Sequence, residues 1–280
     1  MRDINVSVIT DNLKEMCIEA AHFLTDDMKE CLNKAEISEE SALGRQILGQ
    51  LKENLEIAGK DMIPICQDTG MAVVFAEIGQ DVHFVGGLLE NAINEGVRRG
   101  YVDGYLRKSV VSDPIIRENT KDNTPAIIHY DIVSGDKVKL TLAPKGFGSE
   151  NMSRVYMLKP ADGIEGVKDA ILDAVSSAGP NACPPMVVGV GIGGTFEKCA
   201  IMAKKALTRP VNKHSEIEYV AKLEDEILKK INNLGIGPGG LGGRNTAFAV
   251  NIETYATHIA GLPVAVNICC HVNRHSVRII

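Results

Sequence analysis

The sequence is poor in the residues that nucleic-acid-binding proteins use. It has no tryptophan among its 280 residues, and only 4% of them are aromatic. Few aromatic rings are therefore present to stack against exposed bases. Positive charge is scarce too, since 30 Lys and Arg against 36 Asp and Glu give a formal net charge of -6. Affinity for a phosphate backbone depends on clustered basic residues, so we predict no nucleic-acid partner.

Long apolar runs and export signals are also missing. No stretch approaches the roughly 18 apolar residues of a membrane span. The N-terminal sequence "MRDINVSVIT" lacks the basic, apolar and small-residue regions of a signal peptide. We therefore predict a cytoplasmic protein with no membrane partner. Its seven cysteines are then expected to be reduced thiols, able to bind metal, rather than a disulfide framework.

Hydrophobic residues make up 45% of the chain, enough for a sizeable core. The first sixty residues have the apolar spacing of helices, and "TDNLKEMCIEAAHFLTDDMKECL" predicts one buried stripe that contains Cys17 and Cys31. Both cysteines are predicted to be core residues. A following helix is predicted with Ser38 as its N-cap and Gly59 just past its end.

The rest of the chain mixes strands with helices. "MAVVFAEIG" (71–79) predicts a buried strand, and "AIIHYDIVSGDKVKLTLAPKG" predicts a hairpin that turns at Ser134-Gly135-Asp136. We predict an α/β (α+β mixed) class, with helices packed around mixed or antiparallel sheets. No linker or composition shift marks a boundary, so residues 1–280 are predicted to form a single large catalytic domain with an N-terminal helical part at about 1–60.

Two short motifs suggest chemistry but have weak support. "GVGIGG" (189–194) satisfies G-x-G-x-x-G between a strand and a helix, yet no strand with an acidic residue follows at the spacing of a dinucleotide fold. The N-terminus of the following helix, near Thr195, can receive an anion or close against another element. "HVNRH" places His271 and His275 four apart, but no C-x2-C pair supplies the other ligands of a zinc site.

Three cysteines lie outside the helical stripes. Cys66 is in "PICQDTG", Cys183 is in "NACPP", and Cys270 is in "ICCHVNRH". Cys269 and Cys270 are adjacent, so on a strand they face opposite sides and only one serves a given site. The residues alone leave three roles open for Cys66: a buried thiol, a nucleophile or a metal ligand.

Five segments together resemble one family over nearly the whole chain. They are "PICQDTGMAVVF", "LRKSVVSDP", "KGFGSEN", "NACPPMVVGVGIGGTFEKC" and "THIAGLPVAVNICCHVNRH". In this order they resemble the α subunit of the iron-sulfur hydro-lyases, which include class I fumarases and L(+)-tartrate dehydratase. The resemblance implies a 4Fe-4S cluster held by Cys66, Cys183 and Cys270. Cys270 is preferred to Cys269 because the third ligand of the family precedes a histidine.

Such a cluster leaves one iron without a protein thiolate, free to act as a Lewis acid on a substrate. The resemblance implies that Gln67 and Asp68 contact the substrate and that Asp68 is also catalytic, as an orienting or proton-relay group. The alternative role of Asp68 is to cap the turn at Thr69-Gly70. Arg107 resembles a carboxylate clamp, with a solvated surface arginine as the alternative.

Two further positions complete the implied site. Gly148 is expected to offer backbone room beside the substrate. His258 precedes Cys270 by twelve residues, as a substrate-binding and catalytic histidine does in the family. A core histidine is the alternative.

The resemblance also implies a partner. Single-chain relatives carry a further domain, whereas this chain stops at Ile280. We therefore expect a β subunit that completes the pocket, in an α2β2 assembly or with an α dimer. The expected reaction is hydration of fumarate to (S)-malate, with dehydration of tartrate to oxaloacetate as the alternative. From another class, the chain could be a non-catalytic iron-sulfur protein.

Overall fold

The computed structural model describes every residue from Met1 to Ile280, and it confirms the mixed α/β class. The helices are α1 (Val6–His22), α2 (Asp26–Ser38), α3 (Ala42–Asp61), α4 (Leu89–Asp103), α5 (Phe147–Glu150), α6 (Gly163–Ala178), α7 (Phe196–Ala206) and α8 (Glu218–Asn232). The strands are β1 (Arg2–Asn5), β2 (Met71–Gly79), β3 (Val82–Val85), β4 (Ile127–Val133), β5 (Val138–Lys145), β6 (Arg154–Leu158), β7 (Met186–Gly193), β8 (Ala247–Tyr255), β9 (Leu262–Cys269) and β10 (Ser276–Ile279). No helix has both the length and the apolar character that crossing a bilayer requires.

The chain divides into two compact units, each built from separate segments. The first unit contains residues 1–25, 55–147 and 274–280, and the second contains residues 26–54 and 148–273. The chain passes between the units four times, so no single linker exists for the sequence to reveal. That residues 1–280 act as one catalytic domain stays a prediction.

The first unit is organised around strand β2. Its main sheet has the order β10-β5-β2-β4, in which β2 runs antiparallel to β5 and parallel to β4. Apolar side chains of β2 and β5 pack with those of α1 and α4 in one core, which includes Leu13, Val74, Val97 and Leu140. Cys17 is completely buried in this core, as predicted.

The predicted hairpin around Ser134-Gly135-Asp136 is wrong. β4 and β5 do not pair with each other, because each pairs with a different edge of β2. The buried apolar run of β2 requires a central position with a neighbour on both sides. The alternating residues of β4 and β5 indicate strands correctly but carry no information about a third strand that lies between them.

The prediction of one buried helical stripe near the N-terminus is also wrong. α1 ends at His22 and α2 begins at Asp26, and these two helices belong to different units. Cys31 is therefore only half-buried, on α2 in the second unit, where its Sγ lies 4.0 Å from the Phe248 carbonyl oxygen.

The predicted boundaries of the next helix are shifted. Ser38 is the last residue of α2 rather than an N-cap. The hydroxyl of Ser41 accepts a hydrogen bond from the Gly44 N–H at 3.1 Å and caps α3 instead. α3 continues to Asp61, so Gly59 lies inside it.

The second unit is a layered α/β structure. Its sheet has the order β6-β9-β7-β8. Val188 and Val190 of β7 pack in one core with residues of α6 and α8, whereas the intervening Gly189 and Gly191 face α7. A Cβ on Gly191 would overlap the Cys199 carbonyl oxygen of α7. The glycines of "GVGIGG" therefore allow close strand–helix packing.

Candidate functional site

The segment Pro64–Gly70 of the first unit is called the ligand loop. Buried side chains hold its backbone in place through hydrogen bonds to its carbonyl groups. The Tyr101 hydroxyl lies 2.9 Å from the carbonyl oxygens of both Thr69 and Gly70. The amide of Asn123 donates to the Gly70 carbonyl at 3.1 Å. Tyr101 and Asn123 are both fully buried, and burial raises the pKa of Tyr101. The loop thus has a fixed buried side and an exposed side.

Asp68 caps the turn of this loop. Its Oδ1 accepts a hydrogen bond from the Gly70 N–H at 3.0 Å, and its Oδ2 accepts one from the Phe147 N–H at 2.9 Å. The capping role that the sequence left as an alternative is therefore real. Each carboxylate oxygen keeps a further lone pair, so capping does not exclude a contact with substrate.

The exposed side of the ligand loop carries the predicted polar groups. Cys66 is half-buried and Gln67 is exposed, with Cys66 Sγ 3.3 Å from the Gln67 Oε1. The Thr69 hydroxyl donates to the Arg107 carbonyl at 3.0 Å, which fixes the Arg107 backbone to the same loop. The Arg107 side chain is exposed. The first unit therefore brings together Cys66, Gln67, Asp68 and the backbone of Arg107.

One residue that contacts the buried side of the ligand loop was not predicted from the sequence. Arg274 is 4% exposed and donates Nη2 to the Asp68 carbonyl oxygen. Its Nε and Nη1 are buried and make no hydrogen bond. Arg274 lies in "HVNRH", where only the two histidines were considered as functional side chains.

In the second unit, Cys183 lies at a sharp turn. It follows the last residue of a short 3-10 turn, has a left-handed backbone with φ of 51°, and is exposed. Such a backbone is uncommon for a residue with a side chain. The carbonyl oxygen of Cys183 accepts hydrogen bonds from the His271 N–H at 3.3 Å and from the ring Nδ1 at 3.0 Å.

These bonds connect Cys183 to the residue directly after Cys270. Burial lowers the pKa of His271, an effect that the hydrogen bond to Cys183 opposes. A neutral ring that donates from Nδ1 fits this pKa and this geometry. Cys269 ends β9 and is 5% exposed, whereas Cys270 lies just past the strand and is half-buried. Accessibility therefore favours Cys270 over Cys269.

His258 lies on the loop between β8 and β9 and is exposed. Its Nδ1 accepts a hydrogen bond from the Ala260 N–H at 3.2 Å, so a neutral ring carries its proton on Nε2. The residue lines a cavity of about 450 Å³ at the start of α7, together with Thr195, Lys198 and Thr257. Lys198 is a cation of this cavity that the sequence reasoning did not single out.

Gly148 lies in α5 and is exposed. A Cβ at Gly148 would meet no atom of the chain within 4 Å. Packing in this chain therefore does not require glycine at this position, and the backbone there is open to a ligand.

The seven cysteines form no disulfide. Cys17, Cys199 and Cys269 are buried, whereas the three predicted ligands Cys66, Cys183 and Cys270 are exposed or half-buried. Cys66 belongs to the first unit, and Cys183 and Cys270 belong to the second. Within neither unit do three or more His, Cys, Asp or Glu side chains lie close enough together to hold a metal ion. The cluster assignment therefore stays a prediction.

Comparison with known proteins shows which family the chain resembles. A family model described as "Fumarate hydratase (Fumerase)" matches residues 10–278. The chain is 42% identical over 277 residues to "Putative L(+)-tartrate dehydratase subunit alpha" of Methanocaldococcus jannaschii, covering 96% of each protein. It is 31% identical over 254 residues to "L(+)-tartrate dehydratase subunit alpha" of Escherichia coli K12, covering 90% of this chain and 84% of the relative.

These matches define the chain as a member of a hydro-lyase family. It belongs to the fumarate hydratase (Fumerase) family, which confirms the resemblance found in the five sequence segments.

Proposed function

We propose that this chain is the α subunit of a cytoplasmic, 4Fe-4S-dependent hydro-lyase that hydrates fumarate to (S)-malate. The observation that carries the proposal is the ligand loop. Buried Tyr101 and Asn123 hold it from behind, and it presents Cys66, Gln67 and Asp68 next to the Arg107 backbone. The match to the fumarate hydratase family over residues 10–278 supports the same function.

The donor set fits an iron-sulfur cluster. Thiolates are the protein ligands of such clusters, and Cys66, Cys183 and Cys270 are the three non-helical cysteines with accessible side chains. Burial raises the pKa of the remaining half-buried thiol, Cys31, to about 11, which disfavours its thiolate. We propose Cys66, Cys183 and Cys270 as the ligands. When bound, a three-cysteine cluster supplies a Lewis acid at the iron that no thiolate holds.

The side chains of this chain would bind and orient a diacid. The exposed guanidinium of Arg107 is suited to a carboxylate because its paired N–H groups match the two oxygens. Gln67 is exposed beside Cys66 and offers an amide donor. We assign proton handling to Asp68 and His258, since Asp68 keeps free lone pairs and the hydrogen bond from Ala260 N–H to His258 Nδ1 leaves Nε2 to face a ligand.

A second subunit is part of the proposal. The relatives from Methanocaldococcus jannaschii and Escherichia coli are each named as a subunit α. We propose a β subunit that completes the substrate pocket, in an α2β2 assembly or with an α dimer. The chain without its partner is then expected to load iron but to turn over substrate poorly.

The substrate is tested by assaying the anaerobically purified αβ complex against fumarate and L(+)-tartrate in parallel. We expect fumarate to be hydrated with the larger kcat/KM. Dehydration of tartrate is the second candidate, because the names of the relatives favour it. A complex that loads its cluster but acts on neither diacid would contradict the proposed function and favour a non-catalytic iron-sulfur protein.

Arg107 gives a sharp test of substrate binding. We expect Arg107→Ala to raise KM by roughly 10- to 100-fold, because a hydrogen-bonded charged partner contributes about 1.5–3 kcal/mol. Arg107→Lys should recover part of the loss, since lysine keeps the charge but not the paired geometry. Steady-state kinetics of the αβ complex measure both variants.

The matched control is Arg117→Ala, which removes an exposed arginine from the same unit. Its KM should equal that of the wild type. An unchanged KM in Arg107→Ala would assign Arg107 to the solvated surface.

A further inference from the structure

Arg274 is an unusual residue in the first unit because its charge is buried without full pairing. It is 4% exposed, and its Nη2 donates to the carbonyl oxygen of Asp68. Its Nε and Nη1 have no hydrogen-bond partner. The Asp68 carboxylate accepts from the Gly70 and Phe147 N–H groups instead. A buried guanidinium with two nitrogens that make no hydrogen bond is costly to the free protein.

The position of Arg274 suggests what offsets this cost. Its guanidinium touches the backbone of the ligand loop two residues after Cys66 and lies close enough to Tyr101 to interact electrostatically with its hydroxyl. Tyr101 holds the next two carbonyls of the same loop. Unsatisfied buried polar groups in native proteins concentrate where a ligand or reaction uses them.

We propose that Arg274 is a positioning residue for the ligand loop and that its buried positive charge favours an anion bound at this loop. Resting on the proposed function, this inference allows two sources of that negative charge: the cluster with its thiolates, or the carboxylate of the substrate. Arg274 fixes the direction of the Asp68 peptide, and with it the Cys66, Gln67 and Asp68 side chains. Its positive charge favours an anionic occupant over an empty loop.

The test compares Arg274→Met, Arg274→Lys and wild type, each as apoprotein and as the αβ holoenzyme. Apo Arg274→Met should unfold at the same or a higher temperature, because an apolar side chain replaces an unsatisfied charge. The holoenzyme should lose about 10- to 100-fold in cluster retention or kcat/KM, the usual effect of removing an outer partner of a metal site. Arg274→Lys should restore part of that loss.

Two measurements separate the sources of the anion. Iron content and visible absorption without substrate report on the cluster, and KM at full iron loading reports on the diacid. Loss of iron in Arg274→Met assigns the effect of the Arg274 charge to the cluster, whereas full iron with raised KM assigns it to the substrate. Arg278→Met is the matched control, since Arg278 is partly exposed and pairs with Glu19, and it should match the wild type.

The inference is overturned if apo Arg274→Met is strongly destabilised while the folded holoenzyme keeps wild-type iron, spectra and kinetics, because Arg274 is then purely structural. Failure of the proposed function looks different. In that case the wild-type αβ complex itself shows no hydro-lyase activity, whatever the variants do.

Discussion

Replacing Cys66, Cys183 or Cys270 individually by serine should leave a folded protein that holds no stable cluster and has lost more than about 100-fold in activity. The loss should exceed the 10- to 100-fold cost of removing a mere outer partner of a metal site, because a serine hydroxyl is a poor substitute for a thiolate ligand. Iron and sulfide per chain, after oxygen-free reconstitution, measure the effect. Urea unfolding checks that each variant is folded.

Two controls use cysteines that the proposal excludes. Cys31→Ser alters a half-buried thiol on α2 and should retain full iron. Cys269→Ala alters the buried neighbour of Cys270 and should also retain it. Full iron in Cys270→Ser together with loss in Cys269→Ala would move the third ligand to Cys269, and full iron in Cys66→Ser would contradict the cluster assignment.

Glu39→Gln should destabilise the protein by about 3 kcal/mol at neutral pH. Glu39 is 1% exposed and connects α2 with the glycine-rich segment near residue 244. Its carboxylate accepts hydrogen bonds from the N–H groups of Ser41, Arg244 and Asn245 and from the Asn245 amide, all between 2.8 and 3.0 Å. The glutamine side chain would place its own N–H groups against some of these N–H donors, so those hydrogen bonds would be lost.

The same contacts make this contribution depend on pH. Burial alone would raise the pKa of Glu39, but the hydrogen bonds outweigh burial and lower it from 4.5 to about 2. A lowered pKa in the folded state means that the stabilisation is complete above about pH 4.5 and is lost as the pH falls towards 2. The stability difference between wild type and Glu39→Gln should therefore shrink over this range.

Urea unfolding at several pH values measures that difference. Glu40→Gln is the control, since Glu40 forms an exposed ion pair with Arg244 and should cost no more than about 1 kcal/mol. Equal stability of the Glu39→Gln and Glu40→Gln proteins at neutral pH would contradict the role given to the buried carboxylate.

Local sequence patterns were sufficient to predict an element where its structure depends only on the residues within it. Strand β2 has the predicted bounds of 71–79. The hairpin prediction failed because pairing depends on a third strand distant in sequence. Ser38 failed as a cap because Ser41 provides a similar hydroxyl three residues later.

The candidate site could be predicted only by combining several separate segments of the sequence. Cys66, Cys183 and Cys270 are far apart in the chain, and no local spacing joins them. The residues behind the ligand loop were missed, because Tyr101, Asn123 and Arg274 act through carbonyl groups of the loop. Such contacts leave no pattern in the sequence, since any residue can offer a backbone carbonyl.

The central claim is that activity depends on a cluster held by three thiolates of this chain. The most direct measurement is the hydro-lyase activity of the αβ complex before and after exposure to air. We predict that activity falls in air and returns on oxygen-free treatment with ferrous iron and a thiol. Full activity in an air-exposed, chelator-treated preparation that contains no iron would contradict the account.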